Sequence, residues 1–306
     1  SLDQTGLLVR FTEVVSPWNL TSFVMKLMFS TYTVGDEGEW CDYPLFPCLF
    51  RAAGYRVTFL TNQFLPRAKE AVYDFSGGFF VNDAQLSGMQ FDARNTKKFR
   101  FDESLIDEWR RLRDDSSRLN LTMFQLIGQH VLYRQRSPGD RKCFRADDYA
   151  ATKPHLNAGE RRILADYDNA TLYNDSVLGA IVRLFDDKDA IIVHVPDHGE
   201  ECYEGDLHFY CRMHSAEITA RLAHAEFDIP FWIYCTPRCI AQHPDIYNAV
   251  NQAAGKPFMT DALPHLLLGL AGIHSPHYDA RRDPLNGAYD ARRRRILKNT
   301  TDYDRL

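Results

Sequence analysis

No apolar run in this 306-residue chain reaches the ~18 residues that a membrane-spanning helix needs. The longest candidate, Leu263-Pro-His-Leu-Leu-Leu-Gly-Leu-Ala-Gly-Ile273, is interrupted by Pro264 and His265. A secretory leader pattern is also missing. The sequence starts inside what looks like folded protein, and so reads as a trimmed soluble portion of something longer. There is no basic surplus either: a formal net charge of −5 argues against a nucleic-acid binder. The run Arg292 to Arg295 reads as a solvated or salt-bridged tail. None of the seven cysteines shows the paired CxxC spacing of a zinc ribbon. Cys41/Cys48, Cys202/Cys211 and Cys235/Cys239 are close enough in sequence for local disulfides in an oxidising compartment, and buried free thiols are an equally fair reading. With no internal repeat and no low-complexity linker, residues 1–306 read as a single domain. Its 45% hydrophobic content is enough to bury a substantial core.

What is present alternates between strand and helix signals. Residues 7–15 are strand-like and residues 16–20 form a loop. Thr21 then opens a segment with Phe23, Val24, Leu27 and Met28 at helical spacing. An acidic loop over 31–43 leads to a helix over 45–53, which Gly54 ends in the C′ position. Residues 55–61 form the next strand, and 75–81 a short one beside a glycine pair. Residues 92–100 read as a polar loop, 103–112 as an amphipathic helix and 121–127 as a buried strand. A long helix over 160–184 precedes residues 190–195. Beyond these lie a strand over 231–235 and helices near 244–253 and 261–270. This alternation predicts an α/β three-layer sandwich with a mostly parallel central sheet.

The stretch Ala190-Ile-Ile-Val-His-Val-Pro-Asp-His-Gly-Glu-Glu201 organises the rest. Ile191, Ile192, Val193 and Val195 form the β-branched run of a strand covered on both faces. Pro196 removes a backbone donor and stops the ladder. Asp197, His198 and Glu200 follow, beyond the carboxyl end of the strand, where open α/β sheets place their ligands. An adjacent Asp and His offer an oxygen and an imidazole nitrogen to one point, which suits zinc. The bland alternative is a surface turn with an incidental histidine. Two other strand ends carry polar groups on the same presumed side: Thr21 after the first strand, and His130 after the strand over 121–127. Thr21 sits at a helix N-terminus, where backbone N–H groups favour an anion such as phosphate. Its plainer role is an ordinary N-cap. His130 reads equally as a loop histidine with a backbone partner, and His208 alone is unremarkable.

Val195-Pro-Asp-His-Gly-Glu-Glu201 resembles the Ser-Asp-His-Gly-Glu signature of the bacterial phosphoethanolamine transferases, in the alkaline-phosphatase and sulfatase superfamily. Asn19-Leu-Thr-Ser-Phe-Val-Met-Lys-Leu-Met-Phe-Ser30 resembles the family's nucleophile segment, whose Thr lies seven residues before a Met-Phe-Ser. Asp166-Tyr-Asp-Asn169, Gly128-Gln-His130, His208 and Thr301-Asp-Tyr-Asp304 are similar to further family elements. The resemblance implies an alkaline-phosphatase-like fold. It implies Thr21 as the nucleophile, and Asp197, His198 and Thr21 as ligands of one or two zinc ions. His130, His208 and Arg67 would contact substrate, Arg67 falling about where the family has a phosphate-binding Lys.

Two departures stand out. The family's first metal ligand, a Glu in a Gly-Glu-Ser segment upstream of the nucleophile, has no match here. The cysteines that lipid A-modifying members place around the nucleophile are also missing, which is closer to members acting on other envelope sugars. The implied reaction is ping-pong transfer of phosphoethanolamine from phosphatidylethanolamine to an envelope glycan such as lipopolysaccharide, through a phospho-threonine-type intermediate. It would occur on the periplasmic side of a bacterial inner membrane, with membrane contact through an N-terminal region outside this chain. A sulfatase or phosphodiesterase of the same superfamily is the first alternative. A sulfatase needs a Cys/Ser-x-Pro-x-Arg frame, and Cys235-Thr-Pro-Arg238 has the wrong offset. A non-catalytic sulfatase-like binding domain is the second.

Overall fold

The computed structural model describes residues 2–63, 79–204 and 208–306. The first half of the chain forms β1 (Leu8–Phe11), β2 (Val14–Val15), α1 (Thr21–Phe29), α2 (Phe46–Ala52), β3 (Arg56–Thr61), α3 (Phe79–Asn82), α4 (Ala84–Gln90), β4 (Ala93–Arg94), α5 (Ser104–Leu112) and β5 (Asn120–Gln125). The 26-residue α6 (Ala158–Arg183) leads to β6 (Ile191–His194), β7 (Glu201–Cys202), β8 (Tyr210–Cys211), α7 (Ala220–Glu226) and β9 (Phe231–Cys235). Then come α8 (Pro237–Gln242), α9 (Pro244–Ala253), β10 (Phe258–Met259), α10 (Leu263–Leu270), β11 (Ile296–Leu297) and β12 (Thr301–Asp302). No described helix is long and apolar enough to cross a membrane.

Two three-stranded units carry the central layer. One is parallel, in the order β4–β3–β5, with Arg56 opposite Asn120 and Thr61 opposite Gln125. The other, β1–β9–β6, pairs β9 antiparallel to both neighbours. Alternation along the strands sends side chains to opposite faces. Val57, Phe59, Leu121 and Met123 join the largest apolar cluster, with Met28 and Phe29 of α1, Phe50 of α2 and Leu266 of α10. Leu60 and Phe124 instead meet Leu105 and Trp109 of α5 and the Leu184–Phe185 end of α6. Val9, Phe11, Phe231 and Ile233 reach the first cluster from the antiparallel unit. Helices thus cover both faces of an α/β sheet, as the alternation predicted.

Several local expectations change. The strand read over 7–15 is two strands, broken at the exposed Thr12 and Glu13, and β2 turns away to pair with β10. Of the strand expected over 75–81, residues 75–78 lie outside the described residues, and Phe79–Asn82 is helical. The loop over 92–100 contains the short β4. Strand β6 is only half-buried at each of its four positions, because it stands last in its unit rather than between two strands. Gly54 takes φ +88 after α2, the left-handed C′ conformation expected of it.

Candidate functional site

Thr21 is the first residue of α1, and the cap is Leu20, in extended conformation with no side chain to offer. The hydroxyl of Thr21 is therefore free of capping. It donates to Asp197 Oδ2 at 2.6 Å and lies 3.3 Å from His198 Nε2. The loop before it is fastened at Ser16, whose N–H donates to Phe227 O at 2.8 Å and whose hydroxyl donates to Asp197 O at 2.5 Å. Next to Thr21, the rings of Trp18 and Phe23 stack with centroids 4.3 Å apart.

Asp197 and His198 follow β6 across Pro196. The His198 ring is nearly buried and packs 3.2 Å from Asp197 Oδ2, whose side chain remains 32% exposed, so the site opens on the carboxylate side. His198 Nδ1 lies 2.9 Å from Gly199 O. A carbonyl only accepts, so Nδ1 carries the proton and Nε2 presents a lone pair. Burial holds the His198 pKa below the usual imidazole value, against the raising effect of the Asp197 charge and with the help of Arg212, so the ring is neutral.

Asp197 Oδ2, His198 Nε2 and Thr21 Oγ1 thus form a triangle with sides of 2.6, 3.2 and 3.3 Å. Only the shortest side has a hydrogen to share. Across the 3.2 Å side an anionic oxygen faces an imidazole lone pair, an arrangement that a cation relieves. Donors about 2.0–2.1 Å from a tetrahedral zinc lie about 3.3 Å apart, close to the two longer sides. The donor set therefore fits zinc. It consists of one carboxylate, one imidazole and one hydroxyl. Among the described residues no group of three or more His, Cys, Asp and Glu could hold a metal.

His130 sits in the loop after β5. Buried Asp102 shapes that loop by accepting the N–H groups of Ile127 at 3.2 Å and Gly128 at 2.9 Å. Arg136 braces it, donating to the carbonyls of His130 and Val131 at 2.8 Å each. Burial lowers the His130 pKa; Asp197 and Arg212 are near enough to act on its charge in opposite directions. His208 is placed differently. Its Nε2 pairs with Glu160 Oε1 at 2.7 Å, at the N-terminal turn of α6, and the side chain is 58% exposed. It makes no hydrogen bond or ion pair to Thr21, Asp197 or His198 among the described residues. Arg67 lies outside the described residues.

The sequence marked Glu200 as part of the cluster but gave no partner for it. Its carboxylate takes Arg212 Nη1 and the Tyr133 hydroxyl, all three being buried or nearly so. Burial raises the Glu200 pKa against the lowering effect of Arg212. The one signal that could have found Arg212 is physical: an acid in a buried turn requires a cation. All seven cysteines are free thiols, and the β7–β8 pairing sets Cys202 opposite Tyr210 and Cys211 opposite Glu201.

A family model described as Sulfatase matches residues 7–238. The phosphoethanolamine transferase EptC of Escherichia coli O18:K1:H7 is 26% identical over 306 residues, covering 98% of this chain and 51% of the relative. The chain spans about half the length of the curated relatives that it matches over most of its length. The crystal structure of the C-terminal periplasmic domain of EptC from Escherichia coli superposes with a TM-score of 0.79 at 23% identity, covering 98% of this chain and 82% of that one. The same domain in complex with zinc gives 0.77 at 23% identity, with 98% and 83% covered.

Proposed function

The chain belongs to the sulfatase family, and on that premise we propose that it is the catalytic part of a phosphoethanolamine transferase with Thr21 as its nucleophile. The observation that carries this is the 2.6 Å hydrogen bond from the Thr21 hydroxyl to Asp197, beside the His198 lone pair at 3.3 Å. A threonine hydroxyl is a weak nucleophile until a neighbouring base or a metal lowers its pKa. The names of the curated relatives support the choice of group transferred.

In the first half-reaction, Thr21 Oγ1 forms a bond to the phosphorus of phosphatidylethanolamine. The bond from phosphorus to the glycerol oxygen breaks, and diacylglycerol leaves with a proton. In the second, an envelope glycan or lipid-sugar oxygen, as in lipopolysaccharide, takes the phosphoethanolamine and Thr21 regains its proton. Asp197 Oδ2 stands where the Thr21 proton points. His198, fixed as its Nδ1–H tautomer by Gly199, keeps Nε2 turned to the same oxygen. A zinc ion held by Asp197, His198 and Thr21 would supply Lewis acidity and lower the pKa of the hydroxyl.

His130, Arg67 and His208 are assigned to the phosphoryl oxygens and the leaving group. His208 would first have to exchange its Glu160 partner. The reaction belongs at a bacterial inner membrane facing the periplasm, with membrane contact through a segment outside this chain. The test is release of diacylglycerol from phosphatidylethanolamine vesicles by the zinc-supplemented protein. Release by wild type and none by Asp197→Ala is expected. No release by wild type, with turnover of a sulfate ester instead, would replace this reading by a sulfatase one.

A further inference from the structure

The turn that ends α7 lies between the two segments that carry the site. Glu226, the last residue of α7, is fully buried. Its Oε2 accepts Asn19 Nδ2 at 2.5 Å, and its Oε1 accepts the Met213 N–H at 2.7 Å. Asn19 is also buried and stands two residues before Thr21. The main chain of the same turn holds the other segment: Gly199 N–H donates to Glu226 O at 2.9 Å. The approach is so close that a Cβ on Gly199 would lie 2.5 Å from Ala225 O and 3.0 Å from Glu226 C. Ser16 N–H adds its 2.8 Å bond to Phe227 O. One helix end thus grips the loop of Thr21 by a side chain and a carbonyl, and the loop of Asp197 and His198 by a carbonyl.

From this we infer that Glu226 and Asn19 are positioning residues, which set the separation of Thr21 from Asp197 and His198 without touching substrate. The inference rests on the reading of Thr21 as nucleophile. The reacting oxygen tolerates little misplacement, since about 1 Å costs about a hundredfold in rate. A buried carboxylate needs firm donors, and Asn19 supplies one across 207 residues of sequence. The amide of Asn19 has a second use. Its Oδ1 is buried with no hydrogen-bond partner. Turning the amide over would offer that oxygen to a donor at position 226.

This predicts an asymmetric set of variants. Asn19→Asp sets two carboxylates against each other, and kcat should fall about a hundredfold with KM little changed. Glu226→Gln should keep kcat within about tenfold, since its Oε1 accepts from Met213 and its amide donates to the turned Asn19 Oδ1. The double variant Asn19→Asp/Glu226→Gln restores donor to acceptor and should recover to the level of Glu226→Gln. A merely structural role would not produce that rescue in kcat alone. Crystal structures give a second readout independent of turnover. The hydrogen bond from Thr21 to Asp197 should be lost in Asn19→Asp and regained in the double variant. Wild-type kcat in Asn19→Asp, or no recovery in the double variant, would overturn the inference. If Asn19→Asp does not fold, a double variant that also lacks the Thr21–Asp197 bond sinks it. If wild type transfers no phosphoethanolamine, the reaction reading fails, while the distances still decide the positioning role.

Discussion

The Thr21 hydroxyl donates its hydrogen to Asp197 across 2.6 Å, although 176 residues of chain separate them. Thr21→Ala removes that bond and nothing from the helix cap, which is Leu20. Alanine is also the better helix former. Transfer activity should vanish while thermal unfolding reports a loss of only about 1 kcal/mol, one net hydrogen bond. Thr21→Ser keeps a hydroxyl and should retain part of the activity.

Zinc should bind with the help of Asp197 and His198. Wild-type protein should gain stability as zinc is added, by about 2.7 kcal/mol at a hundred times the dissociation constant. Asp197→Ala should lose most of the bound metal and most of that gain. Elemental analysis together with melting curves measures both. An unchanged zinc content in Asp197→Ala would place the metal elsewhere.

Arg212 and Glu200 form an ion pair in which both side chains are at most 10% exposed. Removing one member of such a pair leaves the other charge buried, at a cost of about 3–5 kcal/mol. Arg212→Met should therefore destabilise strongly in urea unfolding. Arg212→Met combined with Glu200→Gln should cost less, because no uncompensated charge remains and Tyr133 can still donate to residue 200.

His265 gives a pH dependence of defined sign. It is buried, with Nε2 donating to Thr31 O at 3.0 Å and Nδ1 accepting the Asp279 N–H at 3.1 Å. The second bond requires the neutral ring, because a protonated Nδ1 could not accept. Burial lowers its pKa below the unfolded value of about 6.5. Above pH 6.5 neither state binds the proton. Below it the unfolded chain does and the native one does not, so stability falls with pH by up to about 1.4 kcal/mol per unit until the lowered native pKa is reached. His130 and His198 act in the same direction. The difference between wild type and His265→Gln isolates this ring, and it should narrow as pH drops from 7.5 to 5.

The layered α/β fold was readable because local chemistry repeats its message. The apolar run from Ile191 stops at Pro196, and Gly54 ends α2 in a left-handed conformation that favours glycine. The antiparallel sense of β9 was not readable, since apolar strands look alike in either direction. Thr21, Asp197 and His198 were legible as polar strand-end residues, and the structure brings them together. Their supports were not. Tyr133 reaches Glu200 from 67 residues away and Glu226 reaches Asn19 from 207, and no spacing rule links such pairs. The partner of His208 was equally hidden, because its position in sequence says nothing of the Glu160 that pairs with it.

Mass spectrometry after incubation with phosphatidylethanolamine and zinc tests the nucleophile most directly. Phosphoethanolamine is predicted on the peptide that contains Thr21, on that residue, and is predicted to be absent from Thr21→Ala. An adduct on Ser16, Ser22 or Ser30 instead, or full turnover by Thr21→Ala, would contradict the assignment.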